Sequence, residues 1–250
     1  LDAAWGSKGG HRERGEQAIP PCLCQSPPMS HPLALVIGAG PGIGLTTGRR
    51  FARGGFNVGL VARDSGCLEA FEGALREAGA PAARALAADV QDGEALAQAL
   101  ERLQDGNLGE PQVLVYNASL GHATRPSRLG PEELEEAFRA NVLAALQSAR
   151  GVLPAMRAAG RGTILFTGGG LALSPKAREA SLSIGKAALR SLALCLAEEL
   201  EPEGIHVATL TIQGFVQAGT PFDPDLVAEH FWELHQEPAG TWRHEVMLRP

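Results

Sequence analysis

The sequence predicts a doubly wound α/β fold of Rossmann type, with about seven strands in a parallel sheet and helices on both faces. Three observations lead there. Short apolar runs alternate strictly with longer amphipathic stretches, the order that βα units with right-handed crossovers produce. Several runs are apolar without a break, as strands covered on both faces are. A glycine-dense turn, Gly38-Ala39-Gly40-Pro41-Gly42-Ile43-Gly44, separates the first run from the first amphipathic stretch.

Each element follows in order. Strands are expected at 33–37, 56–62, 83–87, 113–116, 163–167, 205–212 and 245–248. The first of these, Leu-Ala-Leu-Val-Ile, contains no polar residue. Helices are expected at 43–54, 67–78, 92–103, 131–158, 176–201 and 224–235. The helix from Pro131 has proline at its first position and Glu132, Glu133, Glu135 and Glu136 in its first turns. Carboxylates there favour the positive helix end. They read as a solvated helix start, with no metal role.

Residues 1–28 differ from the rest. Gly, Pro, Ser, Gln and mixed charge dominate, without a helix or strand period. An apolar signal-peptide core is absent, and Glu13 and Glu16 interrupt the basic residues that a transit peptide would keep free of acids. The segment is expected to be a disordered N-terminal extension, with Met29 as the natural start and residues 29–250 as one domain. Cys22 and Cys24 lack neighbouring Cys or His partners and read as solvated thiols.

Composition narrows the function classes. The chain has 250 residues, of which 44% are hydrophobic, enough for one substantial core. Its net charge of −6 and lack of a basic cluster argue against nucleic-acid or anionic-membrane binding. Four scattered cysteines suit a reducing compartment, so a cytoplasmic location is expected. The uninterrupted apolar runs fall well short of the ~20 residues a membrane span needs.

The glycine turn carries chemistry. Where backbone passes close to a pyrophosphate only glycine leaves room, and the helix start behind it offers N–H groups and partial positive charge. Gly38, Gly42 and Gly44 form G-x-x-x-G-x-G, with Gly40 and Ile43 between them. This spacing resembles the short-chain dehydrogenase/reductase family, and further matches cover nearly all of residues 33–250. Asp89-Val90 resembles the family's adenine-binding Asp. Tyr116-Asn117-Ala118-Ser119 resembles its Asn-Asn-Ala-Gly, with Tyr116 and Ser119 departing at the outer positions. Asn141 and Lys186 resemble the asparagine and lysine of the catalytic set, and Gly214 resembles the glycine of a Pro-Gly turn beside the nicotinamide, with Gln213 in place of proline. The resemblance implies a nicotinamide dinucleotide cofactor held by these residues. It also implies a homodimer paired through the helices at 131–158 and 176–201.

Cofactor choice is read at the end of the second strand, Leu60-Val61-Ala62-Arg63-Asp64. A carboxylate at this place selects NAD through the ribose 2′-OH. Here the place falls on Ala62 followed by Arg63, whose guanidinium suits a 2′-phosphate. NADP(H) is therefore favoured over NAD(H). A one-residue shift would bring Asp64 to the ribose instead.

The family resemblance implies a tyrosine four residues before the lysine, as proton donor to the substrate oxygen. This sequence has Leu182 there, and its one tyrosine, Tyr116, belongs to the fourth strand. The implied strand-end serine falls on Gly168 or Gly169. Losing a positioned acid typically costs a factor of 10²–10⁴ in rate. Ser183, three residues before Lys186, and His122, after the fourth strand, are the substitutes to weigh. Each has a plainer reading as a structural hydroxyl or a surface imidazole. Thr167 reads as a buried strand threonine, and His230 and His235 as packing or surface residues. The segment after Gly214 reaches the next helix within a few residues, leaving a minimal lid.

Three readings stay open at this point. One is an NADP(H)-binding member with a degenerate catalytic set, acting as a sensor or on an unidentified small-molecule or protein partner. Another is an active carbonyl/alcohol oxidoreductase using a non-tyrosine proton relay. The third is a scaffold without cofactor.

Overall fold

The computed structural model describes residues 31–105 and 108–250. The expected tail, Met29 and the Cys22/Cys24 pair lie outside them. Seven parallel strands form one sheet in the order β3-β2-β1-β4-β5-β6-β7. They are β1 Leu33–Ile37, β2 Asn57–Ala62, β3 Ala83–Ala87, β4 Pro111–Tyr116, β5 Gly162–Gly169, β6 Ile205–Ile212 and β7 Glu245–Leu248. Chain order reverses beside β1, so β1 and β4 diverge at their C-terminal ends and leave a crevice between them.

The unbroken apolar runs have the expected cause. Every residue of β1, β2 and β6 is buried. Alternation sorts them between two cores. Leu33, Leu35 and Ile37 face a layer with Leu100 of α3 (Gly93–Gln104), Val152 of α5 (Ala144–Ala159) and Leu189 of α6 (Ala180–Leu200). Ala34 and Val36 face the other layer, with Phe51 of α1 (Ile43–Arg53), Leu75 of α2 (Leu68–Glu77) and Phe231 of α7 (Pro224–Gln236).

The helix expected over 131–158 is not continuous. It divides into α4 (Pro131–Phe138), a π-helical segment Arg139–Leu143, and α5. The cause lies in one side chain. Asn141 donates from Nδ2 to the carbonyl of Ala137 at 2.6 Å, occupying the acceptor its own backbone N–H would take in an α-helix. A side chain inserted into the ladder widens the turn.

Two boundaries also move. Ala177–Glu179 is a separate 3₁₀ turn, so α6 begins at Ala180 rather than near 176. Strand β5 extends through Gly168 and Gly169, which pair with Thr211 and Ile212 of β6. Together with its flanking turns, Ala177–Glu203 is long and apolar enough to cross a membrane, which the short apolar runs did not indicate. Half of its most apolar 18-residue part is buried, and Leu189, Ala193, Leu196 and Leu200 pack into the core.

Candidate functional site

The crevice between β1 and β4 opens into a cleft of about 270 Å³. Gly38, Gly40, Arg63, Asp89, Val90, Asn117 and Ala118 all line it, joined by Ala140 and Leu120. Residues from positions 38 to 140 of the sequence are thus brought to one place. The glycines divide by physical role. Gly38 has φ +85°, and a Cβ on it would lie 2.4 Å from the Ala118 nitrogen. A Cβ on Gly44 would lie 2.7 Å from Ala39 Cα. Around Gly40 and Gly42 nothing lies within 4 Å of a built Cβ, so glycine here keeps space open.

Helix α1 starts over that space with no side-chain cap and no acidic residue in its first turn. The first backbone bonds run from Leu45 to Gly40 O and from Thr46 to Gly42 O. The N–H groups of Ile43 and Gly44 are thereby left to an outside acceptor. The space and the donors fit a pyrophosphate. Arg63 lies on the cleft wall, whereas Asp64 is turned away to accept from Gly66 N–H at 2.8 Å.

A line of hydrogen bonds leads from the cleft to Lys186. Asn117 donates from Nδ2 to Gly38 O at 2.9 Å. The Thr167 hydroxyl donates to Asn117 Oδ1 at 2.9 Å. Lys186 Nζ donates to Thr167 O at 2.7 Å. Lys186 is buried, and desolvation draws its ammonium down to about 8. Thr167, read from sequence as a plain strand residue, is the link in this line. Nothing in the sequence marks it beyond its place at the end of β5.

The other singled-out side chains are committed elsewhere. Asn141 is fully buried; its amide donates to Leu120 O at 2.6 Å and accepts from Leu120 N–H at 3.3 Å, clamping the loop after β4. Ser183 accepts from Lys176 N–H at 3.2 Å. His122 donates its backbone N–H to Ser181 Oγ, and its Nε2 lies 3.5 Å from Glu136 of α4. His235 bonds Thr163 at 2.9 Å and packs against Phe51, Phe56 and Trp232, while His230 sits beside Glu233. Among the described residues no three His, Cys, Asp or Glu side chains gather as metal ligands would.

A family model described as short chain dehydrogenase matches residues 32–223. The chain belongs to the short-chain dehydrogenase family. A very-long-chain 3-oxoacyl-CoA reductase of Aspergillus fumigatus is 31% identical over 177 residues, covering 70% of this chain and 51% of the reductase. Human 17-beta-hydroxysteroid dehydrogenase type 1 is 31% identical over 189 residues, covering 73% of this chain and 56% of that protein. The chain thus spans about half the length of these relatives. Among solved structures, a metagenomic short-chain oxidoreductase in complex with NADP superposes with a TM-score of 0.79 at 30% identity, over 88% of this chain and 97% of that one. L-sorbose reductase from Gluconobacter frateurii, complexed with NADPH and L-sorbose, gives a TM-score of 0.79 at 25% identity, over 86% and 94%.

In this short-chain dehydrogenase, glycine and leucine stand at the positions where the family resemblance implies a strand-end serine and a tyrosine. A Cβ on Gly169 would touch the Lys186 side-chain carbons at 3.8–3.9 Å, so Gly169 is the strand-end residue that faces the lysine. A Cβ on Gly168 would collide with Thr209 Oγ1 at 2.6 Å. Leu182 packs against Gly121, where a Cβ would lie 2.7 Å from its own. The Tyr116 hydroxyl donates to Ala140 O, and burial together with the Asp89 charge pushes its phenol well above the ordinary range. At the far end Gly214 lies under the ring of Phe222, with which any Cβ would overlap, and Phe215 is 92% exposed on the short segment that follows.

Proposed function

We propose that this short-chain dehydrogenase binds NADP(H) in the cleft between β1 and β4 and carries a degenerate catalytic set with weak or no oxidoreductase activity. One observation carries the reading. The cleft retains its open glycines, free helix-start N–H groups and Arg63, while the Lys186 ammonium donates to a backbone carbonyl, with Leu182 and Gly169 at the donor positions.

The residues divide the work of holding the cofactor. Gly40, Gly42, Ile43 and Gly44 would take the pyrophosphate, Asp89 and Val90 the adenine, and Arg63 the 2′-phosphate through paired charged hydrogen bonds. Lys186 would hold the nicotinamide ribose, and Gly214 would flank the nicotinamide. When bound, the dinucleotide supplies or accepts a hydride at a carbonyl or alcohol carbon. The chain positions the reactants, which contributes rate by itself, but offers no strong acid for the substrate oxygen.

Calorimetric titration with NADPH and NADH, followed by a carbonyl panel, tests the reading. Micromolar-range NADPH binding, weaker NADH binding and barely measurable turnover are expected. Turnover at ordinary enzyme rates would refute the degeneracy, and binding of neither cofactor would refute the cofactor site.

A further inference from the structure

Tyr116 ends β4, and its side chain is fully buried in the core layer that also contains Ala88 and Ala144. The hydroxyl donates to Ala140 O at 2.5 Å. Ala140 lies in the π-helical segment and is itself on the cleft wall, together with Asp89 and Val90. The next residue, Asn141, holds Leu120 by two hydrogen bonds, and Leu120 lines the same cleft. A π segment is a local defect in the ladder, and such segments need outside support. Here a buried phenol from the neighbouring strand donates to one of its carbonyls.

We propose that Tyr116 is a positioning residue for the adenosine half of the dinucleotide, fixing through Ala140 and the π segment the wall that faces Asp89 and Val90. The inference rests on the cleft being a dinucleotide site. The phenol suits this task because burial and the neighbouring Asp89 charge keep it protonated, and hence a donor, at every physiological pH. Tyrosine also departs here from the asparagine that the family pattern has at this position, so the support belongs to this chain's own residues. Removing the hydroxyl takes a buried donor away from Ala140 O and frees the segment to shift.

The test is Tyr116→Phe, which keeps the ring and its packing. Affinities for NADPH, for 2′,5′-ADP as the adenosine half, and for reduced nicotinamide mononucleotide are measured, the last by competition. NADPH and 2′,5′-ADP are expected to weaken by a common factor of about 5–20, and the mononucleotide to be unchanged. A purely structural role would lower the melting temperature without this split. Ala140→Val, which keeps the backbone bond and crowds the same wall, is expected to give the same split if the phenylalanine variant folds poorly. Unchanged 2′,5′-ADP affinity in a folded Tyr116→Phe variant, or equal weakening of all three ligands, overturns the inference. Wild-type protein that binds neither NADPH nor NADH overturns the cofactor reading and this inference with it.

Discussion

Leu182→Tyr combined with Gly169→Ser returns a phenol and a hydroxyl to the neighbourhood of Lys186. The structure says the second change fits. Gly169 has φ −160° and ψ 151°, extended backbone that any residue adopts. Its added Cβ meets the Lys186 side-chain carbons at 3.8–3.9 Å, ordinary van der Waals contact. Gly168→Ser is the control, because its Cβ would meet Thr209 Oγ1 at 2.6 Å and Thr211 Oγ1 at 3.0 Å between two paired strands. It should lower the melting temperature by several degrees, an overpacking cost of about 1–3 kcal/mol.

The gain follows from the chemistry of the donor. A positioned general acid contributes about 10²–10⁴ in rate, which is roughly 3–5 kcal/mol of barrier. With its ammonium at about 8, Lys186 is mostly charged at neutral pH and would draw a neighbouring phenol downward. The assay is NADPH consumption over a panel of carbonyl substrates, read as kcat/KM, with NADPH affinity and melting temperature measured alongside. A rise of about a hundredfold or more is expected for the double variant, and a smaller one for Leu182→Tyr alone. A double variant that folds and binds NADPH like the wild type yet shows no rise on any substrate would refute the idea that missing donors limit this site.

Further outcomes follow from the same geometry. Lys186→Met should stabilise the protein at pH 7: burial holds the ammonium near 8 rather than 10.5, a penalty of about 3 kcal/mol less about 1 for the lost bond to Thr167 O. The folded pKa is depressed, so this advantage is full below about pH 8 and should fade toward 10.5, as thermal melts across pH would show. His235 is held near 4 by burial and by neighbouring His206. Its contribution is present above its unfolded value near 6.5 and is lost as pH falls toward 4, up to about 3 kcal/mol, so His235→Phe should flatten the acid limb of the melting curve. Gly38→Ala should cost about 2–4 kcal/mol, from strain at φ +85° and overlap with Ala118. Gly42→Asp, whose Cβ meets nothing within 4 Å, should cost less stability than Gly38→Ala, while weakening NADPH at least tenfold through charge repulsion at the helix start. Equal thermal loss in both glycine variants would contradict the division of the motif into packed and open positions.

That division shows where sequence reading stops. In the sequence Gly38, Gly40, Gly42 and Gly44 are one motif, and their order between a strand and a helix was enough to place the crevice. Only the three-dimensional surroundings distinguish Gly38 and Gly44, pressed against backbone, from Gly40 and Gly42, facing open space. The strands were legible because burial on both faces forces apolar residues at successive positions. The π segment was not, because widening one turn shifts the apolar pattern by a single residue. Its cause is the Asn141 bond to Ala137, a side-chain choice invisible to periodicity. The same holds for the line from Asn117 through Thr167 to Lys186: residue types announce donors and acceptors but not which of them meet. That Leu182 stands four residues before Lys186 and that Tyr116 lies on another strand was legible from the sequence directly. What remained hidden is that the hydroxyl of Tyr116 is engaged by Ala140, because which acceptor a phenol meets is set by the fold.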